Sequence, residues 1–355
     1  TDIFSPEYVN TTDGWILKEG TRSIDSYNAD NLLTAGYIYG EFPLKKWDIS
    51  GGLRVEHNIL SLQSATDFGK INIENPVTSF LPSLNVGYNI SDRSLVRFAY
   101  SKTVNRPEFR EIAPFLFYDY ENEAAKVGNE NLKTAQIDNL DLRYEFYPSK
   151  GETVSVGGFY KRFVNPIENV TQITTEQPQF NFANAKSAYN YGVEVEVRKS
   201  FKELTDNLYI GRLSVNLNAS YIFSEVDLGS NVTSQQQVRA LQGQSPYIVN
   251  LALGYEDESG FSANLIYNRF GDRIFSVGDV NFPTIYELSR NSLDFTVSKT
   301  YKQTTFKLGV QNLLDAKYQF FEDSNRDEKI EKSVDNATSI FKRGALVSLN
   351  ITHNF

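Results

Sequence analysis

The chain has 355 residues, a formal net charge of −9 at pH 7, no cysteine and two histidines. The absence of cysteine excludes disulfide scaffolds, thiolate metal sites and cysteine nucleophiles. The acidic balance argues against a nucleic-acid partner. The mean hydropathy is negative, and no stretch approaches the run of about 18 apolar residues that a membrane-spanning helix needs. If the chain crosses a membrane, it must therefore do so with strands.

Apolar and polar residues alternate along about thirteen segments, which is the pattern of strands that have two different faces. The first segment runs through Tyr37 and Tyr39, and the next begins at Trp47. The apolar positions of the segments then include, in chain order, Trp47/Ile49/Leu53/Val55, Leu84/Val86/Tyr88, Val96/Phe98/Tyr100, Leu140/Leu142/Tyr144/Phe146, Val154/Val156/Tyr160, Tyr191/Val193/Val195/Val197, Leu213/Val215/Leu217/Ala219/Tyr221, Tyr247/Val249/Leu251/Leu253/Tyr255, Phe261/Ala263/Leu265/Tyr267, Leu293/Phe295/Val297 and Phe306/Leu308/Val310.

The last segment alternates to the end of the chain, where Val347, Leu349, Ile351 and His353 lead to a terminal aromatic residue, Phe355. Aromatic residues make up 14% of the chain, an enrichment that suits the aromatic girdles of a membrane barrel. An aromatic residue at the end of a half-apolar strand is therefore typical of a final barrel strand whose outer face meets lipid.

The predicted connections between the segments alternate between two kinds. Some are tight turns, as at 43–46, 148–151 and 256–260. The others are long and polar, at about 61–77, 102–135, 166–187, 225–244, 271–288 and 318–342. Outer-membrane barrels have short periplasmic turns and long extracellular loops, whereas a soluble β-sandwich, the alternative, has no reason to sort its loops by end. The sequence therefore predicts an all-β fold, a transmembrane antiparallel β-barrel.

The first and last visible strands both run toward the short turns, so their number is odd. Because bacterial single-chain barrels have even strand numbers, we expect at least one strand before Thr1 and an external loop at residues 1–32. The whole chain, 1–355, is then one partial barrel domain, the C-terminal portion of a barrel of 22 strands, without signal peptide, plug or N-terminal strands.

Several stretches resemble the barrel of TonB-dependent outer-membrane receptors, most closely those of Bacteroidetes-type bacteria. The stretches are Ser101–Glu111 with Ala113–Phe115, Gly128–Leu132, Phe159–Lys161 with Asn165–Glu168, Asn184–Ser187 with Tyr191–Glu194, Leu241–Tyr247 and Gln311–Asp315. Together they cover most of the chain from about residue 33 onward.

This resemblance implies an outer-membrane receptor that imports a scarce nutrient, such as iron bound to a siderophore, a glycan or a similar ligand. Its partners would be outer-membrane lipid, a TonB-type energy-coupling protein acting through a plug that these residues lack, and the barrel-assembly machinery, for which Phe355 would be a signal. A passive outer-membrane porin or channel is the alternative function.

The sequence offers little for catalysis or for a metal. His57 and His353 both fall on the predicted outward face, so we expect no enzyme and no cofactor. Asp323, Asn325 and Asp327 have the spacing that opens a calcium loop, but residue 328 is not glycine and residue 334 is not acidic. A solvated acidic loop is therefore the expected structure there, and no metal site is predicted.

The loop from about Thr103 to Lys133 is predicted to be the longest connection between strands and a candidate binding loop. Aromatic rings that stack and an arginine that pairs with an anionic group are a combination suited to ligand capture. Its candidate substrate-binding residues are Arg106, Phe115, Phe117, Tyr118 and Tyr120. The alternative is that the aromatic side chains only hold the loop together.

Overall fold

The structure is a computed structural model that describes residues 26–66, 69–119, 124–172, 179–202, 204–229 and 235–355. Within these residues there are 22 strands and two helices of four residues each. Neither helix is long or apolar enough to cross a membrane.

The strands are β1 (Tyr27–Leu44), β2 (Trp47–Thr66), β3 (Gly69–Ser91), β4 (Ser94–Asn105), β5 (Leu116–Asp119), β6 (Ala124–Val127), β7 (Ala135–Phe146), β8 (Thr153–Val164), β9 (Ile167–Gln172), β10 (Gln179–Asn184), β11 (Ser187–Ser200), β12 (Leu213–Asp227), β13 (Val238–Arg239), β14 (Tyr247–Glu256), β15 (Phe261–Phe270), β16 (Arg273–Ser276), β17 (Ile285–Glu287), β18 (Asn291–Tyr301), β19 (Thr304–Gln311), β20 (Tyr318–Glu322), β21 (Asn336–Phe341) and β22 (Leu346–His353). The helices are α1 (Phe109–Ile112) and α2 (Leu208–Gly211).

One large sheet contains the long strands. Its order is β1-β2-β3-β4-β7-β8-β11-β12-β14-β15-β18-β19-β22, with β13 paired to β12 off this path. Every neighbour along the path is antiparallel. The thirteen strands of this path confirm the predicted strand number and the all-β antiparallel fold, and in the described residues β1 and β22 form the two edges.

From β2 to β22 the register of the path places the apolar positions read from the sequence on one face. Leu251 is a clear example, because it lies opposite Leu217 on one side and Tyr267 on the other. Its neighbour in sequence, Asn250, lies opposite Asn218 and Asn268 on the other face. The first strand differs, because Tyr37 and Tyr39 lie opposite Arg54 and Gly52 on the other face, and Ile38, opposite Leu53, lies on the apolar one. In an outer-membrane barrel the apolar face meets lipid and the polar face lines the lumen.

Charged residues on the apolar face are confined to its margins. Lys102 and Asp138 lie opposite each other near the long-loop end, and Lys199 and Lys299 lie near the short-turn end. Between them is an apolar band that aromatic pairs flank, such as Trp47 with Tyr88 (ring centroids 4.6 Å apart) at the short-turn end. This distribution matches the high cost of a charge at the bilayer midplane and its low cost at the interfaces.

Aromatic pairs also flank the band at the end that carries the long loops. Tyr191 and Phe223 stack there with ring centroids 5.2 Å apart. The apolar band therefore has an aromatic margin at both ends, as the interfacial girdles of an outer-membrane barrel do.

Two smaller four-stranded sheets form within the long connections. One has the order β5-β6-β10-β9 and the other β16-β17-β20-β21. The connections at this end are therefore folded structures, whereas the opposite end has turns such as Lys45–Lys46 and Lys302–Gln303, both marked by a lysine with positive φ.

Buried apolar residues cluster where the loops meet the polar face of the sheet. Leu60 and Leu62, on the lumen face of β2, pack with Ile112, Ala113 and Leu132 from the connection between β4 and β7. A second cluster joins the lumen-face residues Ala188 and Val226 to Val170, Ala185 and Leu228. The long loops thus fold inward over the mouth of the lumen.

Three predicted details are wrong. Most of the predicted loop 61–77 is strand, because β2 continues to Thr66 and β3 starts at Gly69, which makes a long hairpin. Strand β1 begins at Tyr27, so residues 27–32 do not belong to an external loop, and 1–25 lie outside the described residues. The connection between β19 and β22 is longer than the one from Asn105 to Ala135.

An added charge should lower the stability of the barrel more on the apolar face than on the polar face. Arginine at Leu251 should lower the free energy of unfolding in lipid by about 2–4 kcal/mol, because the guanidinium would enter the apolar band. Arginine at Asn250 is the matched control and should cost much less, because it would enter the lumen. Reversible unfolding in lipid vesicles measures both, and equal costs would contradict the assignment of the faces.

Candidate ligand-binding end of the barrel

Charged side chains on the lumen face form a connected ladder across β4, β7 and β11. The carboxylate of Glu145 lies 3.8 Å from Arg97 and 3.5 Å from Arg143. Arg143 in turn donates to Glu196 at 2.6 Å and to Ser155 at 2.8 Å. Because each strand contributes alternate residues to this face, the period of two that places leucines toward lipid also assembles the ladder.

Arg106, a predicted site residue, belongs to a second ionic cluster on this wall. It lies just after β4 and donates to Glu56 of β2, which also accepts from Arg54 at 2.6 Å. The Nε atom of Arg106 is buried without a partner in the described structure. Arg106 is therefore anchored to the lumen wall, and its buried Nε–H has no acceptor among the described residues.

The predicted aromatic residues of this loop have different surroundings. Phe115 packs against Tyr27, with ring centroids 5.7 Å apart, and joins the first buried cluster. Phe117 lies beneath the guanidinium of Arg110, 5.5 Å from the ring centroid. Tyr118 is 41% exposed. Some aromatic side chains of this loop are therefore packed and others lie at its surface. Tyr120 lies outside the described residues.

Several of the motifs that carry the family resemblance tie loops to the sheet. A side chain at Gly128 would collide with the backbone of Ala113, so only glycine permits this close approach. The amide of Asn129 donates to the carbonyl of Phe182 at 2.8 Å, which joins two loops. Asn184 accepts from the Lys133 backbone N–H at 2.7 Å and donates to the Lys133 carbonyl at 2.9 Å.

The motif Gln311–Asp315 holds the two ends of the last long connection together. Asn312 donates to the carbonyl of Gly344 at 2.8 Å, and Asp315 accepts from Lys342 at 2.7 Å. The Lys342 ammonium beside Asp315 holds the pKa of that carboxyl below its ordinary value. The loop therefore starts and ends at a fixed point on the rim.

The acidic segment of that connection binds its own backbone. The carboxylate of Asp323, 3% exposed, accepts from the N–H groups of Asp327 and Glu328 at 3.1 and 2.9 Å. Asp335 accepts from Ser324 and Glu331 at 2.9 and 2.6 Å. These carboxylates act as turn-forming groups, and across the described residues no His, Asp and Glu side chains group as metal ligands.

A buried ion pair that the sequence did not reveal connects two long loops. Arg239 donates to Glu168 at 2.9 Å, and both side chains are at most 10% exposed. Burial raises the pKa of Glu168 above its ordinary value, although Arg239 opposes this shift. The two residues are 71 positions apart, and only the fold of the loops brings them together, so no sequence pattern could pair them.

Both histidines lie where the sequence places them, on the apolar face. The Nδ1 atom of His57 lies 2.9 Å from the Thr78 hydroxyl, and that of His353 lies 2.9 Å from the Thr304 hydroxyl. Each ring therefore makes a cross-strand contact of a structural kind.

An antiparallel sheet with one apolar and one charged face, short turns at one end and folded loops at the other defines an outer-membrane β-barrel protein. The chain matches the family described as "Outer membrane protein beta-barrel family" over residues 5–344, and it belongs to that family. The cellular location that follows is the outer membrane.

Solved structures with the same fold include the ferric citrate transporter FecA, with 16% identity and a TM-score of 0.65 over 92% of this chain and 45% of that one. The ferric yersiniabactin uptake receptor FyuA from Yersinia pestis has 16% identity and a TM-score of 0.60 over 93% and 47%. The ferric-catecholate import receptor Fiu from K12 E. coli has 13% identity and a TM-score of 0.62 over 82% and 42%.

The chain spans less than half the length of each of these three proteins. At such identities the likeness concerns the fold. No curated protein matches the sequence.

Proposed function

We propose that the chain is the C-terminal part of the barrel of a TonB-dependent outer-membrane receptor of the Bacteroidetes type, which imports a scarce nutrient. In this proposal a 22-stranded barrel encloses an N-terminal plug, and a TonB-type protein pulls on that plug. The observation that carries the proposal is the folding of the long loops over the mouth of the lumen, where buried clusters fix them to the polar wall. Such a mouth can hold a ligand above the lumen.

The fold is that of proteins named as receptors and transporters, which favours import over the alternative, a passive porin. A porin leaves an open aqueous channel. The test is uptake by cells that carry the full-length protein, measured with and without the energy-coupling partner. Uptake that needs the partner supports the receptor, whereas uptake unaffected by its loss, together with a steady conductance in planar bilayers, would support the porin.

The loop between β4 and β7 is proposed to contribute to ligand capture through Arg106, Phe115, Phe117, Tyr118 and Tyr120. The packing of Phe115 and Phe117 supports a role in shaping the loop, and the exposure of Tyr118 supports direct contact with the ligand.

Replacing Tyr118 with serine, alone and together with Tyr120→Ser, tests this role. If the rings stack on the ligand, binding should weaken by about 0.5–1.5 kcal/mol per lost aromatic contact. Titration of the transported nutrient into the purified full-length receptor measures the change. Tyr209→Ser is the matched control, because Tyr209 is 73% exposed at the opposite end. Affinity that stays equal in all variants would place the ligand elsewhere.

Phe355 is proposed to help the barrel-assembly machinery recognise the last strand. It lies two residues after the end of β22, and its side chain is exposed, with its ring centroid 5.0 Å from that of His353. Deletion of Phe355 from the full-length protein should reduce the amount inserted in the outer membrane, and Phe355→Tyr should retain insertion. Quantitative blots of outer-membrane fractions measure this, and normal insertion after the deletion would refute the role.

A further inference from the structure

A polar cavity of about 340 Å³ lies among the loops of the long-loop end, outside the residues considered so far for ligand capture. Its lining comes from three connections, those between β12 and β14, β15 and β18, and β19 and β22. The lining residues that matter here are Gln235, Arg239, Asp279, Phe282, Asp323 and Arg326. The volume falls within the range of about 300–1,000 Å³ that is typical of ligand sites.

Two side chains of this cavity have hydrogen-bonding atoms that no described residue satisfies. Gln235 is 7% exposed, and both its Nε2 and its Oε1 lack a partner. Arg239 is 4% exposed, and its Nε lacks a partner although its terminal nitrogens bind Glu168 and the Ala240 carbonyl. A buried amide without a partner costs about 1–3 kcal/mol. Both residues line the cavity, so a ligand that enters it comes next to these unsatisfied atoms.

The charged groups around the cavity are already engaged. Arg326 donates to the Val280 carbonyl at 2.8 Å. Asp279 accepts from the N–H groups of Asn281 and Phe282 at 2.7 and 2.8 Å. Asp323 is likewise held by backbone N–H groups, as described above. Among the described lining residues, the buried side-chain atoms without a partner are thus the amide nitrogen and oxygen of Gln235 and the Nε of Arg239.

The electrostatic surroundings disfavour an anion. The segment 322–335, which borders the cavity, contains Glu322, Asp323, Asp327, Glu328, Glu331 and Asp335 against Arg326, Lys329 and Lys332. The positive charge of Arg239 is already neutralised by Glu168 at 2.9 Å. A ligand for this cavity must therefore both donate and accept hydrogen bonds without bringing negative charge.

We propose that this cavity binds a neutral, hydroxyl-rich ligand such as a sugar ring. A hydroxyl group is both donor and acceptor, so two neighbouring hydroxyls can satisfy the amide of Gln235 from both sides while a third accepts from Nε of Arg239. Phe282, 37% exposed at the same cavity, offers an apolar surface for a sugar face. This inference rests on the proposed receptor function and narrows its ligand to one chemical class.

The test is direct binding to the purified full-length receptor in detergent, with a panel of neutral oligosaccharides as probes and citrate as the anionic comparison. Gln235→Leu removes both free amide atoms and should weaken binding of the best oligosaccharide by about 3- to 10-fold or more. Gln237→Leu is the matched control, because Gln237 is exposed two residues away, and it should leave the affinity unchanged. Without ligand, the midpoint of thermal unfolding of Gln235→Leu should equal or exceed that of the wild type. The reason is that the substitution removes a buried amide that has no partner and therefore destabilises the folded state.

Four results would overturn the inference: no binding of any oligosaccharide, equal affinity in Gln235→Leu and the wild type, citrate binding that depends on Gln235, or a lowered midpoint of ligand-free Gln235→Leu. The last result would mean that the amide serves the folded loops alone. The binding assay does not involve transport, whereas the proposed receptor function is judged by energy-dependent uptake. A failure of the sugar-binding inference can therefore be told apart from a failure of the proposed function.

Discussion

The pairing of backbone hydrogen-bonding groups in a medium without water is the constraint on which the rest of this structure depends. In the hydrocarbon region each N–H and C=O must find a partner within the protein, and within the described residues the eleven inner strands of the path do so through antiparallel neighbours on both sides, whereas the edge strands β1 and β22 have one neighbour each. Such pairing fixes the register, and the register fixes the faces. Once Leu251 lies opposite Leu217 and Tyr267, every second residue of the wall must face the lumen.

The same alternation explains how so many charges are tolerated in a membrane protein. Arg143, Glu145 and Glu196 cannot face lipid without a large cost, yet on the lumen face Arg143 pairs with Glu145 on its own strand and with Glu196 on another. Removing one member would leave its partner charge without compensation on a partly buried wall. The ladder therefore makes the inner face polar and also internally balanced, which suits a lumen that receives another part of the protein or water.

The sequence predicted those features that repeat with a short period and missed those that depend on distant loops. Strand number, the faces of the path strands after β1 and the end that carries the long loops all follow from alternation and turn chemistry, and the structure confirms them. The segment 61–77 was predicted as a loop because its polar residues resemble a connection, but pairing across Thr66 and Gly69 extends the hairpin. The contact of Glu168 with Arg239 has no signal in the sequence, since two separate loops must fold before it exists.

The recognisable motifs lie at the bases of the loops, and this position explains both their use and their limits. Gly128, Asn184 and Asn312 make close backbone approaches or hydrogen bonds that hold a loop against the rim. Such contacts need particular residue types whatever the loop later binds, so they identify the barrel family without identifying a ligand. The side chains with unused hydrogen-bonding capacity, Gln235 and Arg239, lie between these fixed points. Because the base of each loop is held in place, the residues between the bases can vary without loss of the barrel, and such loops carry the binding residues. The binding chemistry of this chain must therefore be sought in the loops.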